Sequence, residues 1–208
     1  MNKSFQHSMV LTVAAAALLS GLSACAPLLV GGAVMSGMVA VDRRTSGIQL
    51  EDEGIELRTA QGLRQNLGEN AHVNVTSYNR QVLLTGEVAT AAQKELADKL
   101  TQSQENVKAV ANELSVQAIS SLTQRSKDAI ITGQIKALFV DAKDIQSTAF
   151  KVVTERGVVF LMGRVTSREA QRATDIARSV SGVTKVVRVL DVISEEELKR
   201  LSAQTSAK

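Results

Sequence analysis

The chain repeats itself, so whatever it folds into must be built twice. Ile55 and Leu63 recur as Ile131 and Phe139 at an offset of 76 residues. Val75, Val82, Leu84, Gly86 and Val88 recur as Val152, Val159, Leu161, Gly163 and Val165 at an offset of 77. Val107, Val110, Leu114 and Val116 then recur as Val183, Val186, Leu190 and Val192, at 76 again. One inserted and one deleted residue account for the shift. A register of apolar positions held across three segments marks two copies of one unit in tandem.

Both copies share one grammar. A helical segment comes first, over 52–67 and 126–140. Two short strands follow, His72–Ser77 with Gln81–Glu87, and Ala149–Thr154 with Val158–Arg164. Alternation in Val73-Asn74-Val75 and Val82-Leu83-Leu84 fits strands with one buried face. The turns Tyr78-Asn79-Arg80 and Glu155-Arg156-Gly157 are short enough for hairpins. A second helix is expected at 90–104 and 167–180, and a last strand at 109–117 and 185–193. The fold class is therefore α+β: two domains, each α-β-β-α-β, with helices packed on a small sheet. The limits are 49–117 and 126–193, with a linker over 118–125 and a tail over 194–208.

The start of the chain reads as an address. Lys3 precedes an apolar stretch from Met9 to Leu19, and small residues lead to the lone cysteine, Cys25. That layout makes residues 1–24 a secretory signal peptide. Leu22-Ser23-Ala24-Cys25 resembles a bacterial lipobox, which implies cleavage before Cys25 and acylation of its thiol and amine. Each buried lipid methylene contributes ~0.8 kcal/mol, so two or more chains hold firmly where one binds reversibly. Ala26-Pro27 carries no aspartate to resemble an inner-membrane retention signal, which points to the outer membrane, with the polypeptide facing the periplasm. Residues 25–48 are read as the acylated end and a spacer. Its apolar, glycine-studded run over 26–41 is short for a bilayer span, and Asp42-Arg43-Arg44 ends it.

Composition removes several function classes. Aromatic residues make up 2% of the chain and tryptophan is absent, so the stacking platforms of single-strand nucleic-acid binders are missing. After residue 24 the only histidine is His72. No Ser/His/Asp set, zinc-spaced histidine pair or phosphate-cradling glycine loop occurs. Neither catalysis nor a cofactor or metal is expected. Glu51-Asp52-Glu53 is read as a helix start, where acids suit the positive end of the dipole. Glu195-Glu196-Glu197 is read as a solvated part of the tail.

Charge separates the two copies. Residues 49–117 carry a net of −4 and residues 125–193 a net of +5. A basic domain held beside a membrane suits anionic lipid, where each Lys or Arg near the surface adds ~1 kcal/mol. Nucleic acid would suit a basic face too, but the address argues against it. On the first helix of the second copy, Ile131, Ile135, Leu138 and Phe139 form the stripe expected to face the sheet. The opposite side holds Ala129, Ile130, Gly133, Ala137 and Val140, with Lys136 at its margin and Lys127 ahead of them. The positions of the first copy that match Ile130, Gly133, Ala137 and Val140 are Gly54, Leu57, Gln61 and Arg64, a more polar set. Lipid acyl chains, the first domain or another protein could cover that outer strip.

Val73-Asn74-Val75-Thr76, Val82-Leu83-Leu84-Thr85-Gly86, the run from Val158 to Val165 and Val180-Ser181-Gly182-Val183 resemble the BON domain. With the lipobox and the Asp42-Arg43-Arg44 junction, the whole chain resembles paired-BON outer-membrane lipoproteins of the DolP type. The resemblance implies that the second domain binds anionic phospholipid, such as phosphatidylglycerol or cardiolipin, through its first helix. Lys127, Ile130, Gly133, Lys136, Ala137 and Val140 are then the contact residues. It also implies support of envelope integrity, including enrichment at division sites. The alternative is a protein–protein adaptor for an envelope complex such as the β-barrel assembly machinery. Two departures stand out. Ile130 occupies a place where relatives can carry an aromatic anchor, and the first copy has Asn106-Val107 where the second has Gly182-Val183.

Overall fold

A computed structural model describes residues 42–206, without the side chains of 202 and 204–206. The signal peptide, Cys25 and the spacer through 41 lie outside the described residues. The Thr45 hydroxyl accepts from Ile48 N–H and starts α1, Ser46–Leu67. Six residues expected to be spacer or loop are therefore helical. Strands β1, His72–Tyr78, and β2, Gln81–Val88, pair antiparallel. The two-residue turn between them places Asn79 and Arg80 at φ 52° and 64°, the mirror-type turn that matches strand twist. Helix α2, Ala91–Gln102, opens on a capping box of Thr90 and Gln93. The chain then returns as β3, Ala109–Asn112, and β4, Ser115–Val116, both parallel to β2.

The second copy runs the same course. Helix α3, Leu122–Asp141, is capped by Ser121, and a 3-10 turn at Ser147–Ala149 leads into β5, Phe150–Glu155. Strand β6 is Val158–Thr166, and α4, Ser167–Ser179, opens on a capping box of Thr166 and Glu169. Strand β7, Lys185–Ile193, lies parallel to β6.

Four sequence expectations need correction. The linker over 118–125 ends early, because α3 begins at Leu122. The strand expected over 109–117 is broken, whereas 185–193 is continuous. Asn112 accepts from Leu114 N–H and donates to Lys94 O, which turns the chain and buries Leu114. The tail over 194–208 is a helix, α5, Glu195–Ser206, with Glu197 paired to Arg164. Glu51-Asp52-Glu53 sits in the second turn of α1, beyond the reach of its terminal dipole.

Asp52 has a different task, visible only through the fold. Its carboxylate is fully buried and accepts from Ser77 Oγ and from Asn79 and Arg80 N–H, at 2.7–2.8 Å. Burial pushes this carboxyl up, but those donors and Arg44 pull it below the usual range. Asp128, its counterpart at the repeat offset, accepts from Arg156 and Gly157 N–H at 2.9 Å. Each first helix thus clips the hairpin turn below it and fixes the helix on the sheet. An Asp128→Asn variant keeps one acceptor and loses the charge-assisted pair. It is expected to cost about 1–2 kcal/mol, read from the urea midpoint at unchanged slope.

Residues 42–206 lie within one compact unit. Helices cover one face of each sheet, over Ile55, Leu63, Val82 and Leu84 in the first copy and Ile135, Phe139, Val159 and Leu161 in the second. The other two faces meet each other. Tyr78 and Leu83 pack there with Phe160, Met162 and Val189. Strands β2 and β6 are buried almost continuously because both of their faces are covered.

Polar links ring this inner seam. Arg156 Nε lies 2.7 Å from the buried Glu87 carboxylate, and Lys151 Nζ lies 2.8 Å from both Glu56 and Ser77 O. Arg43 forks onto Glu169 at 2.7 and 2.9 Å and donates to Arg164 O at 2.8 Å. Arg44 reaches Asp42 and Asp52 at 2.7 Å each, with its guanidinium 4.3 Å from the Tyr78 ring centre.

Candidate lipid-contact face

The sheet-to-sheet seam decides which surfaces stay free. Helix α3 buries Asp128, Ile131, Ile135 and Phe139 against its own sheet. Its outer side is exposed. Ile130 is 61% exposed and Val140 71%, and Ala129, Gly133 and Ala137 are exposed with them. A Cβ built on Gly133 would find no atom within 4 Å. Lys127 and Lys136 are exposed on the same helix. All six contact residues expected from the sequence therefore share one open helix face. The first domain, one of three coverings considered for that strip, is elsewhere.

Leu138 departs from expectation. Helical phase alone puts it in the stripe facing the sheet, yet it is 40% exposed, and Asp128 joins the buried row in its stead. The hairpin clip needs a carboxylate at 128, which rotates the inward row away from Leu138. The open face is also longer than the sequence suggested. Leu122 is 78% exposed at the start of α3, and Ile119 and Val116 are about half exposed just before it. Reading 118–125 as linker hid them. A helical phase carried back from Ile130 reaches Leu122 eight residues earlier, and that was the available signal.

A groove of about 500 Å³ runs along the N-terminal half of the strip, lined by Gln124, Lys127, Ile130, Gln134, Ser181 and Thr184 among others. Its floor includes Gly182, at φ 89°. Asn106 takes the same left-handed backbone in the first copy, at φ 66°. The Asn-for-Gly difference between the copies is thus conformationally neutral, since Asn tolerates this region. The equivalent outer face of α1 exposes Leu50 and Leu57, but Glu53, Arg58 and Arg64 interrupt it.

Other chemistry finds little equipment. Among the described residues, no group of three or more His, Cys, Asp and Glu is arranged to hold a metal ion. No described helix is long and apolar enough to cross a membrane.

The family and sequence comparisons fit this architecture. The model of the BON domain family matches residues 52–118 and again 127–194. The chain is 39% identical over 171 residues to the outer membrane lipoprotein DolP of Haemophilus influenzae, covering 81% of this chain and 88% of that one. It is 37% identical over 155 residues to a 21 kDa hemolysin of Actinobacillus pleuropneumoniae, covering 74% and 80%. Among solved structures, CdsD, a structural protein of the type III secretion system of Chlamydia trachomatis, aligns at a TM-score of 0.30 and 12% identity, over 74% of this chain and 97% of that one. Two BON matches in one chain, one on each copy of the repeat, together with similarity to DolP over most of both chains, place this chain in the BON-domain family, as a tandem-BON outer-membrane lipoprotein of the DolP type.

Proposed function

We propose that this lipoprotein binds anionic phospholipid through the outer face of α3 and thereby supports envelope integrity, held at the membrane by acylated Cys25 and facing the periplasm. The observation that carries the reading is the uncovered strip of Leu122, Ile130, Ala137 and Val140 beside Lys127 and Lys136. Apolar side chains flanked by lysines suit the boundary between acyl chains and anionic headgroups.

The tether favours the same face. Phe139, one residue from Val140, packs on Phe150 at 5.2 Å between ring centres, and Phe150 pairs with Gly163 in β6. Arg164, next in β6, holds Arg43. The spacer therefore joins the folded part at the end of the domain where α3 finishes. The 17 residues from Cys25 to Val41 span at most ~60 Å when extended, ample for α3 to meet the leaflet that holds the anchor.

Vesicle co-flotation of residues 42–208, which lack the anchor, tests this reading. Flotation is expected with phosphatidylglycerol or cardiolipin vesicles, weaker at higher salt, and absent with zwitterionic ones. Ile130→Glu should abolish it without altering thermal unfolding, because that side chain faces solvent. Charge removal at Lys127 and Lys136 should weaken binding about 30-fold, at ~1 kcal/mol per cation. No flotation under any condition would leave the acyl chains as the sole membrane contact and pass this face to a protein partner.

A further inference from the structure

The sheet of the first domain has an open edge whose polarity can be worked out residue by residue. Strand β1 is terminal in the order β1-β2-β3. In an antiparallel pair, alternate residues aim both N–H and C=O at the partner strand, and those between aim both away. Ser77 aims away: its N–H donates to Glu56 at 2.7 Å and its carbonyl accepts from Lys151 at 2.8 Å. Leu84, the partner of Val75, turns its carbonyl to Glu113 N–H on the far side of β2. Val75 and Val73 therefore share the outward phase of Ser77. Side chains stopper the edge at Ser77. Among the described residues, nothing satisfies it at Val73 and Val75.

Cavities flank this stretch on both faces of the sheet. On the helix side, about 440 Å³ is lined by Ala60, Leu63, Leu67, Ala71 and Val73, with Arg64 and Glu69 at the rim. On the other side, about 430 Å³ lies between Asn74 and the second domain, bounded by Arg125, Asp128, Thr132 and Glu155. In that second cavity Asp128 is engaged with its turn, and Arg125 Nε donates to Ser120. Glu155 accepts from Asn74 and has no salt-bridge partner among the described residues. Burial pushes its carboxyl above the usual range, outweighing the downward pull of Asn74 and of His72, which lines the same cavity.

We propose that the β1 edge at Val73 and Val75 is a docking site for an extended segment of a partner protein that alternates apolar and basic side chains. Successive side chains of an added strand point to opposite faces. The apolar ones enter the cavity over Leu63 and Leu67, and the basic ones reach Glu155. The site is independent of the lipid-contact face on α3.

The test uses the mature chain in detergent micelles and a capped, fluorescent six-residue peptide alternating valine and lysine. The peptide is expected to bind and to slow amide exchange at Val73 and Val75 at least tenfold. A valine–glutamate peptide should bind at least tenfold more weakly, and Glu155→Gln should narrow that gap. Val75→Pro removes an outward N–H without touching the β1–β2 ladder and should abolish binding; Val73→Pro serves if that variant melts. Unchanged exchange, equal binding of both peptides, or full binding by the proline variants would each overturn the proposal. So would protection that rises with protein concentration alone, which would mean that two copies pair through β1.

Discussion

Gly86→Ala will destabilise the protein by about 4 kcal/mol or more. A Cβ on Gly86 would stand 2.0 Å from the carbonyl oxygen of His72, at a backbone φ of 111°. Two costs add. A side chain in that part of backbone space costs roughly 1–3 kcal/mol. The contact is with backbone rather than a flexible side chain, so the clash can be relieved only by moving the start of β1 and breaking its pairing with β2. A total of about 4 kcal/mol or more is reasonable, against the 5–15 kcal/mol that typically holds a domain. Gly163 stands in the same place in the second copy, where a Cβ would lie 2.3 Å from Ala149 O, and its variant should behave alike. Urea titration and limited proteolysis will read both. Gly133→Ala is the internal control: with open space at its Cβ, it should stabilise α3 by about 0.5–1 kcal/mol. A Gly86 variant as stable as the parent would mean that the β1–β2 pairing differs from the one described.

Which parts of this structure could be read from the chain follows from where the information sits. The paired strands and their glycines were legible because a repeat supplies its own comparison: Gly86 and Gly163 hold the same register, so each supports the other. The outer face of α3 was legible because helical phase sets Ile130 about 100° from Ile131, turning it away from the buried row. The strip's exposure was not. Phase shows that a helix is apolar on two sides, but not what lies beyond it. That answer required the seam of Leu83, Phe160 and Met162, which arises from strands whose two apolar faces look alike in one dimension. Asp52 was misread for a related reason. An acid near a helix start suits the dipole, and only the hairpin folding back beneath α1 shows the three donors it supplies, from Ser77, Asn79 and Arg80. Its identity with Asp128 at the repeat offset was the clue, since a residue placed only for the dipole need not recur. The C-terminal helix offered no second copy for comparison.

Arg43→Ala is the variant that should join tether to fold most visibly. The guanidinium is 4% exposed and the Glu169 carboxylate 3%, so neither has water to fall back on. Arg43 lies next to the spacer, and Glu169 caps α4 in the other domain by accepting from Thr166 N–H at 3.0 Å. Deleting one partner of such a pair leaves a buried charge unmatched and typically costs about 3–5 kcal/mol. Glu169→Gln in the same chain keeps an acceptor for the cap and removes the stranded charge, so the double variant should recover a large part of the loss. That non-additivity distinguishes a specific ion pair from general damage to the junction. The pH dependence has a definite sign. Burial pushes the Glu169 carboxyl up, but Arg43 and Thr166 pull it further down, to a net position below the usual range. A carboxyl lowered by folding contributes stability above its unfolded pKa and loses it as pH falls through the folded one. The parent should therefore lose this contribution progressively in acid, and the Arg43→Ala and parent unfolding curves should converge there. Hydrogen exchange at the start of α4 should rise in the variant at neutral pH, because the pair spans 126 residues of sequence and holds the two domains at the point where the anchor arrives. Retained protection at α4 with a stability loss below 1 kcal/mol would show that the inner seam alone holds the domains together and that the Asp42-Arg43-Arg44 junction is only a connector.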